Sequence, residues 1–193
     1  YDVKSSAGIL APGLEMKIVD EKGEEVPMDG KSWGEILLRG PWIAKEYDKD
    51  PERSKPVFAG GWLHTGDVGT IDAEGYVRLV DRTKDLVKSG GEWISSVDLE
   101  NLIMSHPSVL EAAVIGVPDP KWQERPVGCI VVKSGMTLTP DELKAFLKDK
   151  VKANWWIPQQ FAFIDQIPKT SVGKFSKKEL REMFAAGKMP LSG

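Results

Sequence analysis

The chain has one cysteine, two histidines, no basic surplus and no apolar run long enough to span a bilayer, and each shortage removes a class of function. Cys129 alone cannot make an internal disulfide, so a reducing, cytoplasmic setting is expected. It lies in the apolar run Gly128-Cys129-Ile130-Val131-Val132, which reads as strand core. His64 and His106 stand far apart and make no metal-ligand cluster. Lys and Arg number 26 against 29 Asp and Glu, a net charge of −3, where a general nucleic-acid binder would want a basic excess to neutralise phosphates. Trp122 and the pair Trp155-Trp156 could stack on bases, but beside an acidic balance they read as core or interdomain packing. The opening Tyr1-Asp2-Val3-Lys4 lacks the charged-then-apolar order of a signal peptide. No internal repeat or low-complexity tract interrupts the chain.

What is present suits one large domain or two small ones: 193 residues, 41% hydrophobic and 28% charged. Residues 1–80 read as strands and turns, a small β-barrel-like unit. Met16-Lys17-Ile18-Val19 alternates, Glu21-Lys22-Gly23 turns, Gly34–Gly40 is a buried-strand candidate, and Tyr76–Val80 follows the turn at Asp72-Ala73-Glu74-Gly75. After residue 86 strands and capped helices mix. Ser95-Ser96-Val97-Asp98 has the form of a capping box, with Leu99, Leu102, Ile103 and His106 at helical spacing until Pro107. Val109–Val117 and Val127–Val132 read as strands around the loop Pro118-Asp119-Pro120-Lys121. Thr139-Pro140-Asp141-Glu142 supplies a cap, a first-position proline and a reciprocal glutamate ahead of Leu143, Phe146, Leu147 and Val151. Phe161–Ile164 is a short strand, and Ser176 caps a last helix that turns Leu180, Met183 and Phe184 inward. The expectation is an α+β second domain, residues 86–193, with a small sheet and about three helices.

Between the two parts, residues 81–85 begin a charged stretch, Asp81–Ser96, that carries the pair Gly90-Gly91. Few apolar residues and two adjacent glycines fit an interdomain hinge, or simply a turn between short strands. Asp67 follows Thr65-Gly66, where a glycine lets a ligand approach and a carboxylate can accept both hydroxyls of a ribose; alone, the tripeptide reads equally as a turn. Arg82 and Lys174 are, by composition, solvated cations. The segment Lys169-Thr170-Ser171-Val172-Gly173-Lys174 is not a phosphate-cradling P-loop, because no second glycine stands five positions before Gly173.

Three segments in order change these odds: Gly61-Trp62-Leu63-His64-Thr65-Gly66-Asp67, Asp81–Glu100, and Pro168-Lys169-Thr170-Ser171-Val172-Gly173-Lys174. Together they resemble the C-terminal part of the adenylate-forming acyl-CoA synthetases, over essentially the whole chain. Lys88–Ser96 is similar to the medium- and long-chain fatty-acyl branch, although Asp81 stands where many members have glycine. The resemblance implies a ligase that joins a fatty acid to ATP and passes the acyl group from acyl-AMP to CoA, with a domain rotation between the two half-reactions. It implies that Asp67 and Arg82 bind the ATP or AMP ribose, that His64 is structural, that Lys84 is the pivot, that Gly90 and Gly91 present backbone to CoA, and that Lys174 is the adenylation lysine. The implied partners are fatty acid, ATP, CoA, the missing N-terminal domain and, as an oligomer, a second copy in a homodimer. Mg2+ ligands and the acyl pocket are expected in that N-terminal part, and no metal site is expected here. A chain that opens on Tyr and matches only the end of a synthetase is expected to be a fragment, inactive by itself. Two alternatives remain: an aryl- or amino-acid adenylating enzyme, and a non-catalytic nucleotide-binding or interaction module.

Overall fold

Residues 6–193 are described by a computed structural model, in which the chain gathers into one unit ending at Lys84 and another spanning Asp85–Gly193. Tyr1-Asp2-Val3-Lys4, read above for a leader, lies outside the described residues. The first unit is an antiparallel sheet of four strands in chain order, β1 Glu15–Val19, β2 Trp33–Arg39, β3 Leu63–Ile71 and β4 Val77–Arg82. Short-range side-chain bonds set its turns. Asp20 Oδ1 accepts from the N–H groups of Lys22 and Glu24, and Asp72 Oδ1 from those of Glu74 and Tyr76, the local bonding that makes aspartate a turn residue. The core is small, with Ile18, Ile36 and Val77 buried and Met16, Val26, Leu38 and Ile71 packed against them. The unit is β-rich, as expected, but open rather than closed: among the described residues β1 and β4 do not pair with each other, and their outer sides meet only the isolated bridges Val19–Glu25 and Gly8–Val77.

One helix in this unit escaped the strand-and-turn reading. Helix α1, Pro51–Val57, starts where the Asp50 carboxylate accepts the Arg53 N–H at 3.1 Å and Pro51 occupies the first turn. Pro56 near its end disguises it, since proline there removes a helical N–H and normally argues against helix.

The second unit is a six-stranded sheet with helices on both faces. It contains β5 Val87–Ser89, β6 Glu92–Ile94, α2 Ser96–Met104, β7 Val109–Asp119, β8 Gln123–Val132, α3 Pro140–Leu147, β9 Gln160–Phe163, α4 Lys177–Ala185 and β10 Leu191–Ser192. Strand β8 is the hub: β7 pairs antiparallel with it, β9 runs parallel to it from Val127 to Ile130, and β5 meets it at Gln123. Alternation along β7 sends Ala112 and Val114 to one face, with Leu99, Ile103, Leu143 and Leu147, and Ala113, Ile115 and Val117 to the other, with Leu180. The mixed α+β class and the three helices of this unit agree with the expectation. At α3 both halves of the capping box form between Thr139 and Glu142, and the Thr139 backbone and hydroxyl bonds hold the Glu142 carboxyl below its usual range. Among the described residues no helix is long and apolar enough to cross a membrane.

Cys129 is fully buried on the α4 face, and burial pushes its thiol up to about 12, the nearby Glu100 carboxylate adding to the rise and Lys177 opposing it. The fold therefore favours the neutral thiol, a preference fully present below the ordinary thiol range and lost as pH climbs towards about 12. At about pH 8 an aromatic disulfide reagent is expected to label native protein at least tenfold more slowly than denatured protein, because the thiolate is both scarce and shielded. Equal labelling rates would place Cys129 at the surface.

Candidate functional site

The hairpin β3–β4 brings Asp67 and Arg82 together. They are cross-strand partners, and they form an ion pair with Arg82 Nε 3.2 Å from Asp67 Oδ1, 36% of the aspartate and 61% of the arginine side chain being exposed. Asp67 is not in a turn, the reading its tripeptide alone allows, but stands in the middle of β3, beside an irregularity in the pairing between Val68 and Gly69. Gly66 at φ 71° opens the strand just ahead of it, which only glycine does without strain. The segment is braced from β2. Glu35 accepts from the Gly66 N–H at 3.2 Å and meets His64 Nδ1 at 3.0 Å, while the Thr65 hydroxyl donates to the Ile36 carbonyl at 2.7 Å. His64 thus has a bracing partner, and an acid paired with a planar cation remains open to solvent.

Two anchors bracket Lys84. The Thr83 N–H donates to the Gly66 carbonyl at 2.9 Å within the first unit, and Asp85 accepts from Arg181 Nη2 of α4 at 2.7 Å within the second. Lys84 is the residue between them.

In the second unit Gly90 and Gly91 form the turn of the β5–β6 hairpin, at φ 64° and 83°. A Cβ on Gly90 would lie 3.0 Å from the Trp122 ring, whereas one on Gly91 would meet nothing within 4 Å. The Trp122 indole sits there because Asp119 Oδ1 accepts the N–H groups of Lys121 and Trp122, and the Trp122 carbonyl accepts the Gly90 N–H at 2.9 Å. A groove of about 280 Å³ follows, lined by Ser89, Gly90, Glu92, Trp122, Arg125 and Trp155, with Arg125 Nη1 held 3.2 Å from the Ser89 hydroxyl. Of the core or interdomain packing expected of the tryptophans, the core role holds for Trp156, which is buried, and not for Trp122, which is 43% exposed and forms a groove wall. Periodicity could not show this, since the turn geometry alone decides where that ring lies.

Lys174 lies in an exposed loop between β9 and α4, apart in sequence from the Gly90-Gly91 turn. The loop closes on itself: the Thr170 N–H donates to the Lys174 carbonyl at 2.7 Å, the Gly173 N–H to the Thr170 carbonyl at 2.8 Å, and the Ser176 N–H to the Pro168 carbonyl at 2.8 Å. Among the described residues the Lys174 ammonium has no hydrogen bond or ion pair, and no group of three or more His, Cys, Asp or Glu side chains could hold a metal ion.

Comparison with known proteins adds to this geometry. Residues 1–48 match the AMP-binding enzyme family and residues 98–174 the AMP-binding enzyme C-terminal domain. The long-chain-fatty-acid–CoA ligase of Thermus thermophilus is 48% identical over 183 residues, covering 94% of this chain and 34% of the relative. The 3-methylmercaptopropionyl-CoA ligase of Ruegeria pomeroyi is 45% identical over 184 residues, covering 95% and 34%. Among solved structures, ATP-bound MatB from Rhodopseudomonas palustris matches with a TM-score of 0.84 at 33% identity, covering 95% of this chain and 36% of that one. The chain thus spans about a third of the length of the curated relatives it matches. With matches on both units, in family order and at this identity, the chain belongs to the AMP-binding enzymes.

Proposed function

We propose that this chain serves an AMP-forming fatty-acyl-CoA synthetase, acting on a medium- or long-chain acid in the cytoplasm, with Asp67 and Arg82 on the ATP ribose, Lys174 in adenylation, Gly90 and Gly91 on the pantetheine arm of CoA, and Lys84 as the pivot. The observation that carries it is the Asp67–Arg82 pair, a carboxylate and a guanidinium braced from behind and open in front. Such a pair offers an acceptor to a diol and a planar donor to the phosphate beside it. The groove beside Gly90 adds an aromatic wall and Arg125, a fitting combination for the nucleotide end of CoA. The acyl preference rests on likeness to the long-chain ligase, and the nearly equal likeness to a ligase for a short thioether acid makes a series of acids the proper assay.

Asp67→Ala in the full-length enzyme tests the ribose role. Arg82 is well exposed, so losing its partner strands no buried charge. The KM for ATP is expected to rise roughly ten- to hundredfold, the scale of a lost charge-assisted hydrogen bond, while the KM for the acid hardly moves. Unchanged ATP affinity in pyrophosphate exchange would remove the assignment.

A further inference from the structure

The loop that carries Lys174 is flanked by two ion pairs along the β7 side of the second sheet. Before it, Lys169 Nζ meets Glu111 Oε1 of β7 at 2.7 Å; after it, Lys177 Nζ meets Glu100 Oε1 of α2 at 2.7 Å. The second pair is the unusual one, with each side chain only 12% exposed. Glu100 also accepts the Val114 N–H of β7 at 2.8 Å, and Lys177 also donates to the buried Ser96 hydroxyl at 2.7 Å. Val114 pairs only towards β8, so the carboxylate closes a free edge while the lysine arrives from the helix on the opposite face. Burying two charges costs more than an apolar pair of the same shape would, and what such a pair supplies in return is a fixed geometry. Lys177 stands at the first turn of α4, three positions beyond Lys174.

We propose that Glu100 and Lys177 are positioning residues for Lys174: by clamping the start of α4 to α2 around the β7 edge, they hold the loop so that its ammonium reaches the reacting carboxylate and phosphate in the first half-reaction. This rests on the assignment of Lys174 proposed above. The pair takes no part in thioester formation, which uses the Gly90-Gly91 turn instead.

In full-length enzyme, Lys177→Met and the double variant Glu100→Gln/Lys177→Met are expected to slow acyl-AMP formation by about ten- to hundredfold, the effect of a displacement of about 1 Å. Thioester formation from supplied acyl-AMP should stay within about twofold, and so should the KM for ATP. The double variant leaves no buried charge unpaired, so it reports on positioning even where the single variant folds poorly. Lys178→Met, which removes an exposed charge from the same helix, serves as the control and should match wild type. Wild-type adenylation by the double variant, or equal loss in both half-reactions, would overturn the inference while leaving Lys174 in place. Normal adenylation by Lys174→Ala would instead overturn the assignment beneath it, and the positioning role with it.

Discussion

Lys174→Ala in the full-length enzyme is expected to cut acyl-AMP formation by about a hundredfold or more, the usual cost of one transition-state charge contact. The loop geometry makes the substitution clean. The hydrogen bonds of Lys174 here are made by its backbone, to the Thr170 N–H and hydroxyl, so alanine keeps them, and its exposed side chain packs nothing away from water. The lost group is a compact point charge on a flexible stem, suited to charge that grows on the α-phosphate as the carboxylate attacks. Transfer from supplied acyl-AMP to CoA should continue at nearly the wild-type rate. Measuring pyrophosphate release and thioester formation separately checks both halves, and equal losses would mean the loop matters for folding rather than for chemistry.

Lys84→Pro should show the opposite split. In the proposed cycle the second unit presents Lys174 first and Gly91 second, and Lys84 is the residue between the Thr83 and Asp85 anchors, so the φ and ψ change falls on it. Proline fixes φ near −65° and restricts Thr83 as well. Acyl-AMP formation is expected to survive largely intact while transfer to CoA falls by about a hundredfold or more, the scale of a reacting group held out of place. Lys84→Ala, which keeps the backbone free, should be mild in both steps. Single-turnover assays of each half-reaction distinguish these outcomes, and normal overall turnover by Lys84→Pro would show that the chain bends elsewhere.

Local grammar was legible in the sequence wherever a few neighbouring residues decide the outcome. Thr139-Pro140-Asp141-Glu142 encodes the start of α3 in four positions, and Asp72 encodes its own turn. The apolar runs in β7 and β8 likewise announced strands before their partners were known. What could not be read depends on distant residues or on conflicting signals. Pro56 hid α1 despite a good cap at Asp50. Two-residue β10 has no pattern of its own and exists because β9 offers an edge. Nothing near Lys177 in the sequence signals its burial, since its buried partner Ser96 lies 81 residues earlier. That Trp122 lines a groove rather than filling a core was not legible, because composition cannot tell the two apart. The Asp67–Arg82 pair was half visible: both segments were recognisable, but only the strand register sets Arg82 opposite Asp67.

The separation of the two sheets bears on how this polypeptide comes apart. Every strand of the first sheet ends by Arg82 and every strand of the second begins at Val87 or later, so neither hydrogen-bond ladder needs the other to be complete. Their interiors are unequal: the first has one small cluster around Ile18, Ile36 and Val77, with Val19, Leu37 and Val68 also buried, while two larger clusters that include Phe161, Ile130, Leu143 and Leu180 fill the second. Cooperative melting follows a core, and each unit has a core of its own. Heat or denaturant should therefore erode the chain in stages, the N-terminal meander loosening first while the C-terminal fold persists, so a single transition temperature would describe neither part.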